Sequence, residues 1–324
     1  MRMFVRLVAF FLCFVSVKVH AQTAAQPWPQ KAVRFIVPLP PGSGMDLSAR
    51  LIAERLTTRW GQSVVVENRS GAGGALGAAE AARAAADGYT LFFPSGAVMT
   101  ALPHVYAKLN YDPERDFVAV TNVASGPQVL VVPVNSPYKS VKDLIDAARA
   151  NPGRLTFGHA GIGAQTHLVV ESFLYYAKID ATSVPYKGEA PALVGLMAGD
   201  ISFAMSNLAG AIQHIQGGRL RPLGVTSGAE APQLPGVPPI AATLPGFENA
   251  GWFGIVAPAG TPKEIVQKVY EDTRKALESA ELKARFFAQG LFPVGNSPAE
   301  FAAAMKAESQ LWAKVVRERR IEVK

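Results

Sequence analysis

Cysteine is nearly absent: one among 324 residues, which excludes a disulfide framework and a cysteine-based zinc site. Charge is scarce too, at 18% of residues against 49% apolar, and apolar residues run the whole length, so the chain is not intrinsically disordered. No stretch approaches the roughly twenty apolar residues that cross a bilayer. There is no G-x-S-x-G nucleophile elbow and no H-E-x-x-H. Acids are fewer than bases, 25 against 32, for a formal charge of +7. What is present is enough chain for about two domains at roughly 150 residues each.

Much of the positive charge belongs to an address. Arg2 and Arg6 precede an apolar run from Leu7 to Val17, and Val19-His20-Ala21 then leads into polar residues. This order predicts a secretory signal peptide, residues 1–21, cleaved after Ala21, with Ala25 as second choice. Cys13 would leave with it, as would Arg2, Arg6 and Lys18 and no acid, taking the charge from +7 to +4. The basic residues Arg317, Arg319, Arg320 and Lys324 read as the solvated end of a helix, which favours cations. No nucleic-acid partner is expected.

Beyond Pro29, β-branched runs alternate with helical patterns. Strands are expected at 33–37, 64–66, 89–93, 129–132, 155–157, 182–184, 201–205, 223–225 and 252–256. Helices are expected at 46–59, 74–86, 140–150, 165–177, 189–198 and 208–216, with three more from 262 onward. Such alternation predicts α/β architecture with parallel sheets. The five prolines between Pro232 and Pro245 read as an extended connection. The late helices, lacking strands of their own, are expected to pack back on the first half. The chain would then cross twice between two lobes, 27–125 plus 251–324 and 126–250, around a cleft.

Two glycine-rich strand-to-helix turns carry the chemistry. Gly42-Ser43-Gly44-Met45-Asp46 and Gly161-Ile162-Gly163-Ala164-Gln165-Thr166 each offer free helix-start amides and hydroxyls to an anion. Asp46 reads chiefly as a helix N-terminal residue. His159 and His167 flank the second turn without a third ligand at metal spacing, so packing or local hydrogen bonding is the better reading. Ser95-Gly96 follows a strand and can donate to a ligand. A helix dipole contributes only about 0.3 to 2 kcal/mol, whereas micromolar affinity needs about 8 kcal/mol. Several charge-assisted hydrogen bonds must supply the difference.

From Pro29 onward the chain resembles the Bug (TctC-like) family, periplasmic solute receptors of tripartite tricarboxylate transporters. The resemblance rests on Val37-Pro38-Leu39-Pro40-Pro41-Gly42-Ser43-Gly44-Met45-Asp46, Val66-Glu67-Asn68-Arg69-Ser70-Gly71, Asp87-Gly88-Tyr89, Val184-Pro185-Tyr186-Lys187-Gly188, Gly199-Asp200-Ile201 and Ala257-Pro258-Ala259-Gly260-Thr261-Pro262, in order. It implies a two-lobed periplasmic-binding-protein fold of the Venus-flytrap, type II-like kind, closing on a small carboxylate. No metal, no cofactor and no catalysis are implied; a monomer in the periplasm that meets membrane subunits of the transporter is. The implied ligand-binding residues are Gly42, Ser43, Gly44, Asp46, Ser95, Gly96, Gly161, Gly163, Ala164, Gln165 and Thr166, with Ser206 and Asn207. Ser43 stands where the family usually has Gly, and Ser206 where many members carry Asp; the second departure points away from an amino group on the ligand. The competing readings are a secreted enzyme acting on the same acids, with His159 or His167 as base, and a receptor domain signalling through a protein partner.

Overall fold

The computed structural model describes residues 28–321; the expected signal peptide and Lys324 lie outside them. The first lobe begins with β1 (Val33–Val37), α1 (Gly44–Trp60), β2 (Val64–Asn68), α2 (Ala75–Ala82) and β3 (Thr90–Phe92). A π-helical turn, Ala97–Ala101, then leads into the short helices α3 (Leu102–Val105) and α4 (Pro113–Asp116). The long strand β4 (Phe117–Pro133) enters the second lobe, followed by α5 (Val141–Ala150), β5 (Thr156–His159), α6 (Gln165–Ala177) and β6 (Thr182–Pro185). Next come α7 (Glu189–Ala198), β7 (Phe203–Asn207), α8 (Leu208–Gln216) and β8 (Leu220–Val225). After an irregular stretch, β9 (Ala250–Pro258) returns to the first lobe, which closes with α9 (Lys263–Leu277), α10 (Ala280–Phe287), β10 (Phe292–Pro293) and α11 (Pro298–Arg319).

The sheets are mixed rather than parallel. Strands β2, β1 and β3 run parallel, as do β6, β5 and β7, but β9 is antiparallel to both β3 and β4. The reason is the crossing: β9 comes back from the second lobe against the outgoing β4. The 17 residues of β4 span roughly 55 Å at 3.3 Å each, enough to serve both lobes. Its residues Phe117 to Pro127 pair with β9, while Gln128 to Pro133 pair with β7 and β8.

Val129, Leu130, Val131 and Val132 are all fully buried because successive side chains enter different cores. Leu130 and Val132 join Phe157, Phe173 and Phe203, whereas Val129 and Val131 join Leu193, Leu196 and Ile201. That two-sided burial explains why such strands read as unbroken apolar runs. Each burial contributes roughly 1.5 to 3 kcal/mol.

The late helices do pack on the first lobe, with two differences from the sequence reading. A two-residue strand, β10, pairs with β4 at Ser125 and Ala124. Helix α11 also reaches the second lobe: Trp312, Val315 and Val316 pack with Ala101 and Val105 on one side and Leu168 of α6 on the other. Arg319 is not a solvated cation. It donates to Glu171 at 2.8 Å and to Asp180 at 2.7 Å, both in the second lobe.

Candidate functional site

The first glycine turn is braced from within. Ser43 caps α1 by accepting from the Asp46 amide at 3.2 Å. The Asp46 carboxylate, 2% exposed, accepts from the Gly42 amide at 2.8 Å, Arg50 Nε at 3.0 Å and Asn68 Nδ2 at 2.9 Å. Burial pulls this carboxyl upward, but Arg50, the Gly42 amide and Asn68 outweigh it and hold the pKa below the usual value. Gly42 and Asp46 thus face each other and shape the turn. The Gly44 and Met45 amides are left without a partner among the described residues, and the Ser43 hydroxyl keeps its proton to donate.

In the second lobe the turn between β5 and α6 is held in the same manner. Gly161 and Gly163 sit at φ 118° and 78°, where a side chain would be strained. The Gly161 amide donates to His159 Nδ1 at 3.2 Å, the Gly163 amide to His167 Nδ1 at 3.3 Å, and the Ala160 amide to Thr166 Oγ1 at 3.0 Å. Ala164 caps α6 without a side-chain bond, and the Gln165 and Thr166 amides have no partner among the described residues. Each lobe therefore presents a helix start with two unmet amides.

The two imidazoles lie tilted against each other, centroids 4.3 Å apart, and each accepts from a turn amide, which disposes of them as free bases. Burial, with His159 adding, pushes His167 down from 6.5 to about 3. Below pH 6.5 the unfolded chain takes up a proton that folded His167 refuses, so folding stability should fall by about 1.4 kcal/mol per unit from there to about pH 3. Buried Glu171, raised by burial against the pull of Arg319, acts with the opposite sign. Urea unfolding across this range should show a shallower acid slope for His167→Gln than for wild type; parallel slopes would rule out His167 as the source.

Both helix starts abut β9. A Cβ at Gly44 would lie 3.9 Å from the Phe253 ring, and Ser95 forms a β-bridge with Phe253. Gly96 packs so closely on the Trp252 indole that a Cβ there would be 2.7 Å from Nε1. That nitrogen donates to Glu308 at 2.6 Å, and burial raises the Glu308 pKa despite this donor. Across the lobes, Gln165 and Asn207 share one crevice with Gly126, Pro127, Gly251, Phe253 and Gln289 to Leu291. Its free volume is about 20 Å³, room for about one water, so a solute enters only when the lobes part or Gln165 swings aside.

Thr166 and Ser206 line a smaller hollow with His159 and Glu189. The Ser206 hydroxyl donates to Glu189, as do the Asn207 amide at 2.6 Å and Asn207 Nδ2 at 2.7 Å. Glu189, Gly251, Trp252 and Phe253 were missed in the sequence. The one signal was the pair of glycines around two aromatics in Gly251-Trp252-Phe253-Gly254. A hollow of about 790 Å³ between α3, α4 and α11 contains none of the expected residues.

This geometry has relatives. The profile of the tripartite tricarboxylate transporter family receptor matches residues 48–321. The chain belongs to the TctC receptor family. The TctC match extends over whole proteins: BugT of Bordetella pertussis is 35% identical over 316 residues, 97% of each chain. An R. palustris protein solved with adipate is 37% identical, with TM-score 0.78 over 90% of this chain and 98% of that one. MatC of Rhodopseudomonas palustris, solved with bound malate, is 30% identical, with TM-score 0.75 over 89% and 99%. The TctC fold is the two-lobed periplasmic-binding-protein fold, and its members are solute-binding receptors rather than enzymes. Among the described residues no helix is long and apolar enough to cross a membrane.

Proposed function

We propose that this TctC-family chain is exported by its first 21 residues, captures a small carboxylate between its lobes in the periplasm, and delivers it to membrane subunits of a tripartite tricarboxylate-type transporter. The lobes are 27–125 plus 251–324, and 126–250. The observation that carries this reading is the pair of helix starts: unmet amides at Gly44 and Met45 of α1 and at Gln165 and Thr166 of α6, with Gly44 and Gln165 beside β9. The Ser43 hydroxyl, Ser95 and Asn207 supply further contacts. The carboxylates of the adipate- and malate-bound relatives support the ligand class.

A carboxylate bound mainly by the apposed lobes stabilises that state by no more than its preference for it. At a hundredfold excess over the dissociation constant the gain is about 2.7 kcal/mol, or a midpoint shift of roughly 4 °C. A thermal-shift screen over mono-, di- and tricarboxylates, aromatic acids and amino acids should find at least one such shift, with the acid recovered unchanged. Silence across every class would reject the reading.

A further inference from the structure

The inward stripe of α11 contains an acid. Phe301, Met305, Glu308, Trp312 and Val315 follow one another at spacings of four and three, which puts them on one face of the helix. Phe301, Trp312 and Val315 are buried in the core, and Met305 packs partly buried against it. Glu308 as a whole is half-buried, but its carboxyl is enclosed. Acids seldom sit so unless a cation meets them, and no Lys, Arg or His pairs with Glu308 among the described residues. Its partners are neutral. Oε2 accepts from Trp252 Nε1 at 2.6 Å, Trp312 Nε1 reaches Oε1 at 3.5 Å, and the Thr100 hydroxyl meets the same carboxyl.

Thr100 shows where the proton is. Its hydroxyl donates to the Gly96 carbonyl at 2.8 Å, and a carbonyl can only accept. That uses the one hydroxyl proton, so between Thr100 and Glu308 the donor is the carboxyl. Glu308 is then a neutral carboxylic acid, in keeping with burial, which raises its pKa against the pull of the indoles and Thr100. One arm runs from Glu308 through Thr100 to the Gly96 carbonyl. A second runs through Trp252, on whose ring Gly96 rests. Both arms end on the Ser95–Gly96 side of the cleft, and the backbone between is the π-helical turn Ala97–Ala101, a rare form that recurs at functional sites.

We infer that Glu308 is a positioning residue: from behind the cleft wall it fixes Ser95 and Gly96 for the solute. This rests on the receptor reading above and adds a residue that does not touch the solute. If Glu308 loses its proton, the Thr100 hydroxyl is drawn to the carboxylate, since a hydrogen bond to an ion is the stronger, and the Gly96 carbonyl is let go. Among the elements packed on α11, β4, β9 and the π-helical turn carry no charged side chain. Helix α3 and its end bring His104, bonded to Ser309 at 2.9 Å, and Tyr106; α6 brings His167, Tyr175 and Glu171, the last paired with Arg319. Burial holds both histidines below 6.5, so neither supplies a cation near neutral pH. Affinity should therefore fall as pH rises.

Calorimetry with succinate, malate and adipate, or with any acid of the thermal screen that binds more tightly, tests this at pH 6 and pH 9. The wild-type dissociation constant should rise at least about fivefold between them, the loss of roughly one hydrogen bond. Glu308→Gln keeps both arms, its amide oxygen for Trp252 and its amide nitrogen for Thr100, and cannot ionise. It should match wild type within about twofold at pH 6 and change by no more than about twofold at pH 9. Glu308→Leu has neither arm and should bind at least about fivefold more weakly at pH 6. An infrared difference between wild type and Glu308→Gln at pH 6 should show the carbonyl stretch of a protonated acid. Absence of that band overturns the inference and leaves the receptor reading standing, as do coincident pH curves for wild type and Glu308→Gln. Where Glu308→Leu folds poorly, the Gln comparison and the infrared band decide. No binding of any acid by wild type, here or in the thermal screen, overturns both readings.

Discussion

Gly251→Ala should weaken ligand binding by roughly fivefold while leaving the unliganded protein about as stable as before. A Cβ at this position would lie 1.5 Å from Gln165 Nε2 and 2.6 Å from its Cδ, so the side chain of α6 has to leave its slot against β9. The contact joins the two lobes, and the clash exists only when they are together. The obstacle is the flexible end of a side chain, so the cost sits at the low end of the about 1 to 3 kcal/mol of overpacking. Placed on the apposed state alone, it lowers the fraction competent to bind and raises the apparent dissociation constant by the same factor. Gln165→Ala removes the obstacle, so Gly251→Ala made on that background should change affinity by less than about threefold, in a double-mutant cycle. Equal losses on both backgrounds would show that the Gln165 contact is not responsible.

Trp252→Ala should cost about 3 to 5 kcal/mol of unfolding free energy, the range for truncating a large buried aromatic. The indole is 7% exposed and meets Phe301 edge-on, with centroids 4.9 Å apart. It also forms the back wall of Gly96 and donates to Glu308. Removing it opens a void and takes a donor from an enclosed carboxyl whose remaining indole donor, Trp312 Nε1, is at 3.5 Å. Urea unfolding near neutral pH measures the loss; one below about 1 kcal/mol would mean the site collapses around the smaller residue. Because Ser95 and Gly96 rest on this wall, affinity for the ligand should fall as well.

The helices and glycine turns were legible because their causes are local. Apolar spacing, the Ser43 cap and the left-handed Gly61 after Trp60 all lie within a few residues of what they determine. The front half of β4 was not. Thr121 and Asn122 break the apolar run between Val120 and Val123, and Thr121 is fully buried with its hydroxyl donating to the Asn296 carbonyl, far along the chain, at 2.7 Å. Strand pairing with β9 makes those polar residues tolerable, and no neighbour in sequence announces it.

The site divided along the same line. Sequence found the turns that hold unmet amides, since those follow from glycine and helix starts. It credited Gly42, Gly161 and Gly163 with amides for a ligand, whereas Asp46, His159 and His167 already occupy them. Those partners are close in sequence, but whether a side chain turns inward or outward depends on the packing around it. Glu189 reaches Asn207 only because β5 and β7 lie side by side.

The links between the lobes have a mechanical consequence. A single tether would let two bodies tumble freely. Here two strands cross bonded edge to edge, from Pro127↔Ala250 outward, and α11 adds a third attachment ending at Arg319. Edge-bonded strands resist sliding and shear, and the off-axis strut resists twist. What remains soft is one angular coordinate, like a door on its pins. Along such an arc every point of one lobe moves in fixed proportion to every other, so a single spacing measured across the crevice would report the whole motion.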